Sequence, residues 1–183
     1  TPDDLHGLLT VADVVGRVND FAEAVVLIYE IEQELRALIV DVYNPDELGE
    51  MLSGMAVSAS RPIEKIIGKL EAVVNEFGER GEIKSTVNLL RSYKPKPYKS
   101  VDEFSFFDYH KLICGKEHWS TFEPIFQSQR AVLQHDFRAI NDLRNTVFHF
   151  RAVITPKETD RLRRFRDRLR YDRDLYGKAR EAR

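Results

Sequence analysis

The stretch Gln129-Arg-Ala-Val-Leu133-Gln-His-Asp-Phe137-Arg-Ala-Ile140-Asn-Asp-Leu-Arg144-Asn145-Thr-Val147-Phe-His149-Phe150 sets Leu133, Phe137, Ile140 and Val147 in one stripe at helical spacing. Such a stripe is the mark of an amphipathic helix facing a core. Arg144 falls inside the stripe. A charged residue on a buried face is either paired or functional, so Arg144 is the first candidate for a role beyond packing.

The same period recurs on both sides of this segment. Toward the N-terminus, Phe21, Ala24, Val25, Ile28, Ile31, Leu35, Leu38, Ile39 and Val42 predict a long helix that starts near Asn19 or Asp20. Asn44-Pro45-Asp46-Glu47 reads as a stop and restart, leading to a second helix that ends near Ala56. Ser60 and Pro62 then open a third, with Ile63, Ile66, Ile67, Leu70, Val73, Val74 and Phe77 on one face and Gly78 and Gly81 at its end. Residues 92–104, with Lys94-Pro-Lys-Pro97, predict the main loop. Ser105 caps a short helix through Ile113, and Trp119, Phe122 and Phe126 read as core aromatics. On the C-terminal side, Thr155-Pro156-Lys157-Glu158 has a capping-box layout that starts a helix through about Tyr176. The sum is an all-α helical bundle with an Arg-rich terminal helix.

With 183 residues and 43% hydrophobic content, the chain suits one domain with a helical appendage. There is no apolar run of membrane-spanning length, and no signal-peptide layout, which gives a cytoplasmic expectation and no membrane partner. The single cysteine, Cys114, has no partner for an internal disulfide, and no Cys/His cluster has zinc spacing, so neither a metal nor a cofactor is expected. A start at Thr1 suggests a segment of a longer protein. The overall charge of −2 conceals an asymmetry: residues 1–60 hold twelve Asp/Glu against two Lys/Arg. Residues 157–183 hold eleven Lys/Arg and six Asp/Glu, which either attract phosphate chains or form a solvated face laced with ion pairs.

The phrase Leu-Arg144-Asn145-Thr-Val-Phe-His149-Phe150 resembles the signature of the HEPN superfamily, an Arg followed by a polar residue and, a few positions on, a His. The resemblance extends in layout over about residues 20–175, with its recognisable identity in 104–151. It implies a HEPN-type bundle, a two-fold homodimer, and a metal-independent endoribonuclease in which the RNA 2′-hydroxyl attacks the adjacent phosphate. In that reading His149 moves the proton, Arg144 holds the phosphorane and Asn145 orients the Arg or a phosphate oxygen. Arg151 would add a phosphate contact, and Arg163, Arg164 and Arg166 would supply electrostatic RNA affinity. Many relatives serve in toxin or defence systems, which leaves an antitoxin partner to be identified. A second, shorter resemblance lies in Gly7-x-x-Thr10-x-x-Asp13, similar to the closing segment of a CBS domain, where the Thr and Asp contact a ribose. Its neighbours 7–15 read as a strand entering a helix. The expected organisation is therefore residues 1–18 as a CBS-like remnant or linker to upstream CBS domains, 19–176 as the HEPN-like domain, and 177–183 as a flexible tail.

Two features complicate this reading. A regular helix holds Arg144 and His149 about 140° apart, so they converge only if the helix loosens near Phe148 or if two chains assemble the groove. Without the motif, Arg144 reads as the partner of a carboxylate or of helix carbonyls, and His149 as a histidine beside Phe148 and Phe150. A non-catalytic RNA-binding or dimerisation module beneath a CBS sensor, or an unrelated helical interaction domain, then stand as the other readings. His6, His110, His118 and His135 have no partners at ligand spacing and receive no role; Tyr93-Lys94 and Tyr98-Lys99 read as a solvated loop or a weak single-strand contact.

Overall fold

In a computed structural model that describes residues 10–77, 81–92, 98–149 and 152–182, every regular element is helical. In chain order these are α1 (Val11–Val42), α2 (Pro45–Phe77), α3 (Gly81–Ser92), α4 (Phe106–Cys114), α5 (Trp119–Phe122), α6 (Arg130–Phe148) and α7 (Pro156–Glu181), with a short 3-10 helix at Val101–Glu103. No helix among the described residues is long and apolar enough to cross a membrane.

Three boundaries differ from the sequence reading. The expected strand entering a helix is already helix from Val11, and α1 crosses the boundary drawn at residue 18. The cause is local: Thr10 and Asp13 form a reciprocal cap. Asp13 Oδ2 accepts from the Thr10 backbone N–H at 2.9 Å and from its hydroxyl at 2.7 Å, while the Asp13 N–H donates to Thr10 Oγ1 at 3.2 Å. The Thr and Asp that suggested a nucleotide contact are thus engaged in starting a helix, and Gly7 lies outside the described residues. The break expected near Ala56 is absent, since α2 continues through Ser60 and Pro62. Met51, Met55, Ile66, Leu70 and Val73 keep one helical register across that stretch, and the single backbone donor that Pro62 lacks does not interrupt it. Lastly, α7 runs on to Glu181 through most of the segment read as a tail. The other two helix starts behave as read. Ser105 with Asp108, and Thr155 with Glu158, form complete capping boxes.

The span read as one domain divides into two compact units. One comprises the chain up to Val42 together with the chain from Ser105, and the other is Tyr43–Phe104. In the second unit α2 packs on α3 and Arg91 pairs with Glu71 between them. Residues 93–97 of the expected main loop lie outside the described residues; beyond them Tyr98 meets Phe104 edge-on at 4.8 Å.

The first unit carries the core. Ala24, Leu27, Ile28, Ile31, Leu35, Leu38 and Ile39 of α1 are buried, as are Phe106, Tyr109, Leu112 and Ile113 of α4 and Leu133, Phe137, Ile140, Leu143 and Val147 of α6. Each large side chain removed from water contributes about 1.5–3 kcal/mol. Phe137 is the hub, 5.8 Å from Phe106, 5.5 Å from His110 and 5.4 Å from Phe165 by ring centroid. Of the three expected core aromatics, Phe122 and Phe126 are buried and the half-buried Trp119 stacks on Phe126 at 6.4 Å. Cys114 is buried too, and burial pushes its thiol up to about 12.

The charge asymmetry is resolved between α1 and α7. Arg163 pairs with Glu23, Arg166 with Glu30 at 2.6 Å, Arg170 with Glu34 at 2.8 Å, and Arg173 with both Glu34 at 2.7 Å and Asp41 at 2.8 Å. Arg180 closes the series on the Asp41 carbonyl. Partner numbers rise together along both helices, so α1 and α7 run parallel. The hydrogen bond from Arg166, reinforced by its charge and that of Arg170, holds the Glu30 carboxyl below the ordinary glutamate value.

Glu34 is the most enclosed carboxylate of this ladder, with 13% of its side chain exposed, and it serves two arginines that are themselves over a third exposed. Solvent screening of those arginines keeps the contribution modest. Glu34→Gln is expected to lower the unfolding free energy by about 1–3 kcal/mol in urea titration. Combining it with Arg173→Gln should cost less than the two changes summed. Because the Glu30 value is depressed in the folded state, its part of the stability is present above the ordinary glutamate range and is lost as pH falls from there through the lowered folded value. Additive single effects together with a flat acid limb would contradict the ladder's role.

Candidate functional site

The signature lies at the end of α6. Gln129 precedes the helix in an extended conformation, and the helix stays regular through Phe148. His149 is its C-cap at φ −101° and ψ 7°, and its backbone N–H still donates to the Asn145 carbonyl at 3.1 Å. That i to i−4 bond keeps His149 on the last helical turn. The loosening that would swing it toward Arg144 does not occur before it, and the separation of about 140° around the axis is retained within one chain.

Arg144 is half-buried. Its Nε donates to Glu32 Oε1 of α1 at 3.1 Å, and its guanidinium lies 5.1 Å from the Phe148 ring centroid. Among the described residues the two Nη groups have no hydrogen-bond acceptor. Glu32 is in turn 3.7 Å from Arg36, whose Nε donates to the hydroxyl of the fully buried Tyr109 at 2.8 Å. A chain of polar contacts therefore ties Arg144 to the core across three helices, and it fixes the arginine's position while leaving the far edge of its fork open. Sequence reasoning had anticipated a carboxylate partner as one reading of Arg144 but could not name it. Its one trace was the Glu32/Arg36 pair at i,i+4 spacing.

His149 is exposed and Asn145 half-buried. By helical geometry, His149 shares its side of α6 with Arg138, Asp142 and Asn145, to within about 40°. Arg138, Asn141 and Asp142 line a cavity of about 370 Å³ with Phe106, Phe107 and His110. His110 had received no role; burial, with a smaller contribution from the Arg138 charge, lowers its pKa and favours the neutral imidazole. Arg151 lies outside the described residues. Of the three arginines assigned to RNA, Arg163 is bound by Glu23 and Asp160 and Arg166 by Glu30 and Asp167. Arg164 is exposed, has no ion pair among the described residues, and lines a separate cavity of about 610 Å³. The structure thus joins Arg144 to Phe148 and Glu32, separates it from His149, and places Arg164 apart from Arg163 and Arg166. No group of three or more potential metal ligands occurs among the described residues. No family model, curated protein or solved structure matches the chain.

The two signature residues should differ in what they do for folding. Arg144→Ala removes a part-buried ion pair and leaves Glu32 with Arg36 alone, so a loss of about 1–2 kcal/mol is expected in denaturant unfolding without any ligand. His149→Ala, at an exposed helix end, should change stability by less than about 0.5 kcal/mol. Equal losses would show that His149 has a packing role.

Proposed function

We propose that this chain is a HEPN-type RNA-acting domain whose Arg144 and His149 serve a metal-independent endoribonuclease reaction in a two-fold dimer. The observation that carries this reading is the state of Arg144. It is anchored through Nε by Glu32 and backed by Phe148, while its Nη pair has no acceptor among the described residues. A planar fork fixed in this way is suited to two oxygens of a phosphate. His149, exposed on another side of α6, would complete the groove from a second copy, since one chain does not bring the pair together.

The chemistry needs only side chains. An imidazole takes the proton of the RNA 2′-hydroxyl as its oxygen bonds to the adjacent phosphorus; the bond to the 5′-oxygen breaks and that oxygen receives a proton. The products are a 2′,3′-cyclic phosphate and a 5′-hydroxyl. Arg144 offsets the charge that builds on the phosphorane, and Asn145 helps to orient it. One observation favours a second reading, a non-catalytic RNA-binding or dimerisation module joined to CBS domains: the Glu32 carboxylate already neutralises Arg144.

Purified protein incubated with mixed single-stranded RNA in EDTA is expected to cleave it and leave 2′,3′-cyclic ends, and a deoxy substitution 5′ of the scissile phosphate should stop the reaction. His149→Ala should slow it by roughly 10²- to 10⁴-fold, and Arg144→Lys should also impair it because the fork is lost. Mixing the impaired Arg144→Lys and His149→Ala proteins should restore part of the activity by forming one composite groove. If both variants fold and cleave at the wild-type rate, the signature residues have a structural role only.

A further inference from the structure

Eight of the ten basic residues of α7 form two sets on opposite sides of the helix. Arg163, Arg166, Arg170 and Arg173 face the carboxylates of α1. Lys157, Arg161, Arg164 and Arg168 recur at i, i+4, i+7 and i+11 and fall within about 60° of one another, roughly opposite the first set. This second set lines the cavity of about 610 Å³ between α6 and α7, floored by Ile140 and Phe165.

Neutralisation differs sharply between the two faces. The cavity holds four cations and two carboxylates, Asp136 and Glu158. Glu158 is committed to its capping box, accepting from the Thr155 backbone N–H at 2.8 Å and from its hydroxyl at 2.7 Å. Asp136 holds Arg168 at 3.1 Å and stands 3.9 Å from Arg161. Lys157 and Arg164 are exposed and have no ion pair or hydrogen bond among the described residues. A chain that matches arginine to carboxylate so closely along one face of α7 leaves the other face in excess.

We infer that the Lys157, Arg161 and Arg164 face of α7 is a docking track for the phosphodiester backbone of single-stranded RNA. The inference rests on the proposed RNA-acting function, and it relocates the electrostatic contact from Arg163 and Arg166 to the opposite side of the helix. The track from Lys157 to Arg164 rises about 10 Å, which is longer than one phosphate group needs and suits successive phosphates of an extended strand. It begins at the first turn of α7, close in sequence to the end of α6 and His149. The α6 residues that line the same cavity, Asp136 and Ile140, lie within about 80° of Arg144 around the helix axis, so a strand on the track passes the Arg144 side of α6. The cavity is open and its cations lie along one line, so the contact reads charge and spacing rather than base identity.

The test is fluorescence anisotropy over a salt series, with a short labelled 2′-O-methyl oligoribonucleotide that binds but has no 2′-hydroxyl to react. Lys157→Gln/Arg164→Gln is the main variant, because neither residue has an ion pair or hydrogen bond among the described residues for the change to remove. It should weaken binding roughly tenfold or more at low salt and flatten the slope of log affinity against log salt by about 1.4, from some 0.7 per phosphate contact. Arg163→Gln/Arg166→Gln, measured below its unfolding temperature, should leave the slope unchanged. An unchanged slope in the first variant, no binding by the wild type, or competition by inorganic triphosphate equal per phosphate to that of the oligonucleotide would each overturn the track. The two readings fail separately. A changed slope without cleavage of ordinary RNA overturns the nuclease and keeps the track, whereas cleavage with an unchanged slope overturns the track alone.

Discussion

The fold of the larger unit depends on the pairing of its first and last helices through opposite charge. α1 carries Glu23, Glu30, Glu34 and Asp41, and α7 carries Arg163, Arg166, Arg170 and Arg173 in matching order. Taken singly, exposed ion pairs contribute about 0–1 kcal/mol each, far less than the buried apolar side chains of the same helices. Their weight lies in register and direction. Sliding α7 by one turn, or reversing it, would set arginines against apolar positions or leave carboxylates without partners, while the leucine and isoleucine contacts alone would tolerate several alternatives. Between the two helices the chain makes the whole Tyr43–Phe104 unit. The ladder closes the larger unit across that long insertion, where a loop-closure cost must be offset by contacts made at a distance.

Arg144 links this framework to the candidate site. It stands on the α6 stripe that packs into the core, a place where an unpaired cation is costly. Glu32 removes that cost, and Arg36 and Tyr109 hold Glu32 in place. The same arrangement that makes Arg144 structurally acceptable also makes it rigid, and a rigid fork with an open edge is what phosphate recognition requires. Structural and functional accounts of the residue are therefore compatible: Nε serves the fold, and the Nη pair meets no acceptor among the described residues.

α7 shows how one helix can serve two purposes by the angular placement of a single residue type. An arginine moved by one position turns through about 100°. Arg163 and Arg164 are neighbours in sequence, yet one meets Glu23 and the other opens on a cavity beside α6. Composition alone cannot separate them, since both count equally toward a basic terminus.

The sequence by itself determined the helical class, the amphipathic stripes of α1 and α6, the cap at Ser105, the capping box at Thr155, and the anomalous position of Arg144. These follow from spacing within a few turns, where backbone geometry dictates which residues are neighbours. It misread residues 11–15, because a run rich in valine suits a strand or a helix until its cap is recognised, and Val11, Val14, Val15 and Val18 in fact stand at helical spacing. It also divided α2 at Pro62, although one missing donor within a long register is tolerable. Tertiary structure alone decided that Glu32, 112 positions away, is the partner of Arg144. It also decided that the acidic first helix meets the basic last one, and which arginines that meeting leaves free. Those outcomes turn on packing between helices remote in the chain, and no local period encodes which remote helix a given face will find.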